Sequence, residues 1–365
     1  MTQCNSRGDS SLMVLPAQVM ADILEAIREP YELGGGATVS RLGNGHINTT
    51  VLVHDGKRRL VAQKINTAVF PSPGALVANA RAIHDHLAGK EERFRVARHV
   101  PGGDGRFLYG PEADVRVLEY FPNSRSIEVL ENSEQARLAA RNFARFSRLL
   151  TDFDHRQLET VIPDFHSPLL RYRQFDEAHE SNIADRTCTC GSEIEFVRDR
   201  EDRVRAWQGL LDTLPLHVCH NDCKINNMLV HNESGNALAI IDLDTCMPGC
   251  LMTDFGDLVR SCCSPEAEDS RNLERVVARP EVYSALMEGY LAGHDGTLSA
   301  TERASLLPGA LMMCFMVGLR FLTDYLSGDS YFSIDYPEHN LARARNQFRL
   351  YQSLEAQRDK LEGSC

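Results

Sequence analysis

His220-Asn221-Asp222-Cys223-Lys224-Ile225-Asn226-Asn227, followed a short way downstream by Asp242-Leu243-Asp244, decides how this chain of 365 residues is read. Apolar Leu216 to Val218 leads in, and Met228-Leu229-Val230 leads out through the turn-like Asn232-Glu233-Ser234-Gly235 into Ala239-Ile240-Ile241. The pattern predicts short strands, each delivering an acidic or amide side chain at its end. Oxygen donors gathered this way suit a hard cation. Asp222, between them, is a carboxylate placed to take a proton from a hydroxyl.

Working outward, the chain is 43% hydrophobic and long enough for two lobes, each with its own core. The formal net charge is -12 with no lysine or arginine block, so nucleic acid and anionic membrane are poor partners and a small molecule is expected. Met1 to Ser11 is polar and lacks the apolar core of a secretory signal, and Leu306 to Leu319 is too short and too broken by proline and glycine to span a bilayer. The expectation is a cytoplasmic protein. Its 11 cysteines are odd in number and scattered, as reduced thiols are; Cys188, Cys190, Cys246 and Cys250 lack partner pairs at structural-zinc spacing.

From the N-terminus, Ala17 to Arg28 places Met20, Ile23, Leu24 and Ile27 on one helical face, and Pro30 stops it. Strands are predicted over Thr38 to Leu42, Thr49 to His54 and Arg59 to Ile65, with Gly43-Asn44-Gly45-His46 at the first bend and Asp55-Gly56 at the second. Pro73 to Leu87 reads as a helix, Phe107-Leu108 and Asp114 to Phe121 as strands, and Pro122-Asn123-Ser124 breaks the last one. That break sets the lobe boundary: residues 1–121 as an N-terminal lobe of leading helix, antiparallel sheet and one long helix, and 122–365 as a helical C-terminal lobe. Beyond it a helix capped by Asn132 or Ser133 buries Ala136, Ala140, Phe143, Ser147 and Leu150. Helices resume over Asp257 to Ser261, Pro280 to Leu291, Ala300 to Leu326 with an interruption at Pro308-Gly309, and Leu341 to Leu361; Cys188 to Glu193 reads as a loop. Strands first and helices afterwards indicate α+β architecture, with a cleft between a small sheet lobe and a large helical one.

Histidine, one residue, aspartate, four residues, asparagine resembles the catalytic loop of kinase-like phosphotransferases. On that reading Asp222 is the general base, Asn227 and Asp242 are Mg²⁺ ligands, and His220 braces the loop. Asp244 is a second metal or substrate contact, or a structural residue. Asp254-Phe255-Gly256 spells the kinase metal motif but follows no strand, so it is read as structural, with Asp257 capping the helix after it. Gly43, Asn44 and Gly45 let backbone amides approach phosphate oxygens. Of Gln63 and Lys64, on opposite faces of one strand, only one can point at a nucleotide. Arg320 needs polar partners, which either a polyhydroxylated substrate or Asp324 or Asp329 could supply.

Several stretches together resemble the bacterial N-acetylhexosamine 1-kinases, of the aminoglycoside-phosphotransferase-like branch of the protein-kinase-like fold. They are Gly45 to Thr50, Gln63 to Thr67 with Val69-Phe70-Pro71, His220-Asn221-Asp222, Ile241 to Thr245 with Met247-Pro248-Gly249, Asp254 to Asp257, Arg320-Phe321-Leu322, Asp324-Tyr325-Leu326 and Tyr336 to Asn340. The resemblance implies ATP- and Mg²⁺-dependent phosphorylation of the anomeric hydroxyl of N-acetylglucosamine or N-acetylgalactosamine. It implies sugar contacts from His46, Arg320 and Tyr331, and adenine contacts in a hinge at Glu119-Tyr120-Phe121, which departs from the family's usual residues. Rival readings are a same-fold kinase for an aminoglycoside, choline or another hexose, and a nucleotide-binding regulator without turnover.

Overall fold

A computed structural model describes residues 17–43, 47–56, 58–90 and 94–363. The chain divides into two compact units: one from the N-terminal side through Val69 together with Val100–Tyr120, the other Phe70–His99 together with Phe121 onward.

In the first unit, α1 (Ala17–Arg28) precedes a five-stranded antiparallel sheet of β1 (Thr38–Arg41), β2 (Thr49–His54), β3 (Arg59–Lys64), β4 (Leu108–Tyr109) and β5 (Val115–Glu119), in the order β1-β2-β3-β5-β4. Strand alternation sorts the side chains. Val51, Val53, Leu60, Ala62, Val115 and Val117 are buried in one core with Ile23, Leu24 and Ile27 of α1. The other parity carries Thr50, Gln63 and Arg116, which lie opposite one another across β2, β3 and β5.

The second unit holds α2 (Pro73–Ala88), β6 (Ser124–Ser126), α3 (Ser133–Leu149), α4 (Pro168–Ser181), α5 (Gly191–Arg198), α6 (Glu201–Leu211), β7 (His217–Cys219), β8 (Met228–His231), β9 (Ala237–Ile240) and β10 (Met247–Gly249). After these come α7 (Leu251–Cys262), α8 (Pro280–His294), α9 (Ala300–Leu326), α10 (His339–Ala356) and α11 (Arg358–Glu362). Two small antiparallel sheets, β6-β8-β9 and β7-β10, carry the loops that matter.

The helix α2, expected in the N-terminal lobe, belongs to this second unit. Its Ala80, Ile83 and Leu87 join the core of α3, and its Asn79 side chain exchanges hydrogen bonds with the Glu159 backbone at 2.8 and 2.9 Å. The chain therefore crosses between the units three times, at 69/70, 99/100 and 120/121, not once.

The helix expected from Asp257 begins six residues earlier, at Leu251, so Asp257 lies inside α7 and caps nothing. Pro308-Gly309 does not interrupt α9, which runs unbroken through both. A Cβ on Gly309 would sit 2.2 Å from the Met252 carbonyl oxygen, and one on Gly256 would sit 2.4 Å from the Gly309 carbonyl oxygen. The two helices thus cross backbone against backbone, and glycine is what that approach requires. Long and apolar enough to cross a membrane, α9 is instead 83% buried over its most apolar stretch, as a core helix is. Its N-terminus has a capping box, Ser299 with Glu302. Glu302 also meets His217 Nε2 at 2.6 Å, tying that end to β7.

Candidate active site

The 220–227 loop follows β7 and is fastened from three directions. Asp254, on α7 and 2% exposed, accepts the backbone N–H of His220 at 2.9 Å and of Asn221 at 2.8 Å. Burial raises the Asp254 carboxyl above its ordinary value, opposed by His220 and these two amides. Asn221 holds a left-handed backbone, φ +62, and its amide donates to the carbonyls of Cys219, Thr245 and Met247. Gly249 makes room for it, since a Cβ there would lie 2.8 Å from Asn221 Oδ1. His220 is fully buried, edge-on to Phe143 and Phe146. Its Nδ1 accepts from the Asp222 N–H at 3.3 Å and its Nε2 donates to the Ile241 carbonyl at 3.0 Å, which sets the Nε2–H tautomer. The ring braces the loop against β9.

Asp222 emerges from this brace with a quarter of its side chain exposed. Lys224 Nζ lies 3.0 Å from Oδ1, and Asn227 Nδ2 donates to Oδ2 at 3.0 Å and to the Asp222 carbonyl at 2.9 Å. Burial works against ionisation, but Lys224, then His220, outweigh it and hold the carboxyl below its usual range. An ionised carboxylate beside a hydroxyl can orient it and accept its proton.

With both Asn227 amide hydrogens spent on Asp222, its Oδ1 is the atom left for a cation. The β8–β9 register sets Met228 against Ile240, and the Ile241 N–H donates to the Asn227 carbonyl at 2.9 Å, so Asp242 follows directly at the end of the hairpin. Asp242 is exposed and left-handed, φ +60 and ψ +62, a conformation that costs an aspartate energy and recurs at functional sites. Asp244 is 4% exposed, in the short turn after it. No group of three or more His, Cys, Asp or Glu forms a metal cage among the described residues. One carboxylate and one amide oxygen, completed by phosphates, is the donor set Mg²⁺ takes in nucleotide sites.

A second patch lies within electrostatic reach of Asp222. The Arg320 guanidinium sits over the rings of Phe165, Tyr331 and Phe332 at 5.1, 5.6 and 5.4 Å, and its Nη2 is 3.5 Å from the Tyr331 hydroxyl. Arg171 holds the Phe165 carbonyl at 2.8 Å and Gln174 Oε1 at 2.9 Å. Among the described residues neither guanidinium has a carboxylate partner. Burial, then Arg320, lowers Arg171 to about 10. Burial, then the Arg320 and Arg171 charges, pushes the His166 imidazole down to about 3. Asp324 and Asp329, the expected internal partners of Arg320, are engaged elsewhere: Asp324 with backbone amides and Asp329 with Arg186.

In the first unit, Gly43 adopts φ +71; Asn44, Gly45 and His46 lie outside the described residues. Lys64 shares the parity of Leu60 and Ala62, on the α1 face, and pairs with Asp114 at 3.5 Å. Gln63 occupies the opposite face, donating to Thr50 Oγ1 at 2.9 Å and accepting from Arg116 at 2.8 and 3.0 Å. Glu119 ends β5, opposite Leu60. Phe121 belongs to the second unit, in an apolar cluster with Ala97 and Ala239 against which Leu229 and Ile241 pack, while Arg95 covers its ring at 4.5 Å.

Sequence reading missed three groups here. Asp254 was set aside with its tripeptide, although a buried acid one helical turn into α7 needed partners. Leu229 and Ile241 were visible as strand residues but not as a surface. Phe165, His166 and Arg171 precede and open a helix that the pattern did not reveal, so nothing pointed to them.

An antiparallel sheet unit, a mainly helical unit and this loop geometry define the protein-kinase-like fold and a small-molecule phosphotransferase. Residues 38–298 match the phosphotransferase enzyme family (APH), and the chain belongs to that family. Solved structures agree at the level of fold. The ADP-bound aminoglycoside phosphotransferase APH(2'')-Ib matches with TM-score 0.57 at 13% identity, covering 93% of this chain and 99% of its own. Plasmodium vivax ethanolamine kinase matches with TM-score 0.55 at 15% identity, covering 86% and 81%. Choline kinase from Cryptosporidium parvum Iowa II matches with TM-score 0.55 at 14% identity, covering 92% and 95%.

Proposed function

We propose that this enzyme transfers the γ-phosphoryl group of ATP to the anomeric hydroxyl of an N-acetylhexosamine, giving the sugar 1-phosphate. Asp222 orients that hydroxyl and takes its proton as the oxygen bonds to phosphorus and ADP departs. Lys224 keeps the carboxylate ionised beforehand, and Asp254 and His220 keep it in place. Asn227 Oδ1 and Asp242 would hold Mg²⁺, which when bound neutralises charge on the transferred group.

One observation carries the choice of acceptor: within electrostatic reach of Asp222, and without a carboxylate partner among the described residues, Arg320 lies over the rings of Phe165, Tyr331 and Phe332 and Arg171 holds the Phe165 carbonyl. Guanidinium donors and aromatic faces suit a neutral, polyhydroxylated ring with an acyl oxygen. An ammonium group there meets like charge, which disfavours aminoglycosides, choline and ethanolamine. The sequence resemblance supports the same choice. The test is ATP consumption across N-acetylglucosamine, N-acetylgalactosamine, other hexoses, aminoglycosides and choline, with phosphorus NMR of the product. A phosphorus signal coupled to the anomeric proton is expected; turnover with cationic acceptors alone overturns the assignment.

A further inference from the structure

The loop between α9 and α10 places Tyr331 and Phe332 against Arg320, and its conformation is imposed by one carboxylate. Asp324, 5% exposed, accepts the backbone N–H of Ser330 at 2.9 Å and of Tyr331 at 2.8 Å on Oδ1. Its Oδ2 accepts the N–H of Phe332 and the Asn340 amide, both at 2.9 Å. Asn340, fully buried, donates its other hydrogen to Asp329 Oδ1 at 2.9 Å, and Arg186 pairs with the second oxygen of Asp329. The Asp329 N–H returns to the Asp324 carbonyl at 2.8 Å, and Arg343 holds the Ser333 carbonyl at 3.0 Å. Five consecutive residues, 329–333, are thus tied down by backbone bonds. Among the described residues no cation contacts Asp324; its charge is met there by amide donors, an arrangement that fixes backbone direction.

The side chains this loop presents are not needed for its own packing in equal measure. Phe332 packs on Phe321, with ring centroids 4.7 Å apart, whereas Tyr331 remains 45% exposed beside Arg320. A short connection of this kind left to itself would exchange among conformations, and Tyr331 would leave the guanidinium.

We propose that Asp324 and Asn340 form a positioning pair that presets the Tyr331–Arg320 surface for the acceptor, without touching substrate themselves. The inference rests on the reading of that surface as the acceptor site, but not on which sugar it takes. Its direct consequence is kinetic: loosening the pair raises the KM for the acceptor and leaves nucleotide binding alone.

Asp324→Asn replaces an acceptor oxygen by an amide that faces other donors. We expect the acceptor KM to rise about tenfold or more, the ATP KM to stay within about twofold, and amide exchange of residues 330–332 to accelerate in hydrogen–deuterium exchange. Asn340→Ala leaves the three backbone bonds to Asp324 in place and should shift the same quantities in the same direction, by less; it also serves where Asp324→Asn fails to fold. Kinetics use whichever acceptor the screen identifies, so a failed sugar assignment leaves this test standing. Equal shifts in acceptor and ATP KM, or faster exchange with unchanged acceptor KM, overturn the proposal.

Discussion

Replacing Asp254 by asparagine separates a loop brace from a metal ligand. The carboxylate takes the N–H of His220 and Asn221 at 2.9 and 2.8 Å in a site only 2% exposed. Hydrogen bonds to a charged group contribute about 1.5–3 kcal/mol each. An asparagine can keep one of them as a weaker neutral bond, while its amide confronts the other donor, so the expected loss of stability is about 2–4 kcal/mol. The same displacement reaches Asp222, two residues from the released amide, and a shift near 1 Å in a catalytic group costs about a hundredfold in rate. The assay is kcat at saturating ATP and acceptor over about a tenfold range of Mg²⁺, with a denaturant melt of the same variant. A brace gives low kcat at every Mg²⁺ concentration and a lowered midpoint. Recovery of kcat as Mg²⁺ rises, with an unchanged midpoint, would mean that Asp254 binds metal as its tripeptide spells and is no brace.

Further outcomes follow from other contacts. As the proposed base Asp222 acts unprotonated, and Lys224 holds its carboxyl low, so the acid limb of kcat/KM should fall below the ordinary carboxylate value of about 3.9; Lys224→Met should move the limb upward, and an unmoved limb contradicts the assignment. Gly256→Ala sets a Cβ 2.4 Å from the Gly309 carbonyl oxygen, so α7 and α9 must part at a cost of about 1–3 kcal/mol or more; a urea midpoint equal to that of the native chain refutes the crossing. Burial pushes His294 down to about 4, so it is neutral when folded and takes up a proton on unfolding below pH about 6.5. Its contribution is complete above that pH and is lost as pH falls toward about 4, by up to roughly 3 kcal/mol; His294→Gln should flatten this acid slope in denaturant melts, and an unchanged slope contradicts it.

How much was legible in the sequence depended on whether the signal was local. The bounds of α1 and the three strands after it followed from alternation and from Pro30, since each element's own residues decide its buried face. The 220–227 loop was legible as a candidate site because fixed spacing within eight residues survives any tertiary arrangement. The crossing of α7 and α9 was not: Pro308-Gly309 looks like a break until Met252, remote in sequence, supplies the reason for the glycine. The same holds for Asp254, whose partners lie 33 and 34 residues earlier. Strand parity separated Gln63 from Lys64, but only the packing of α1 showed which face each takes. Arg171 and Phe165 make contact through a backbone carbonyl, which no side-chain pattern encodes.

In the proposed mechanism Asp222 receives the acceptor's proton. Asp222→Asn keeps the shape and removes the base, so kcat should fall by a factor of about 10²–10⁴. ATP affinity, measured by calorimetry on the same preparation, should change by less than about threefold. Turnover within about tenfold of the native enzyme, with the nucleotide bound as before, would contradict the mechanism.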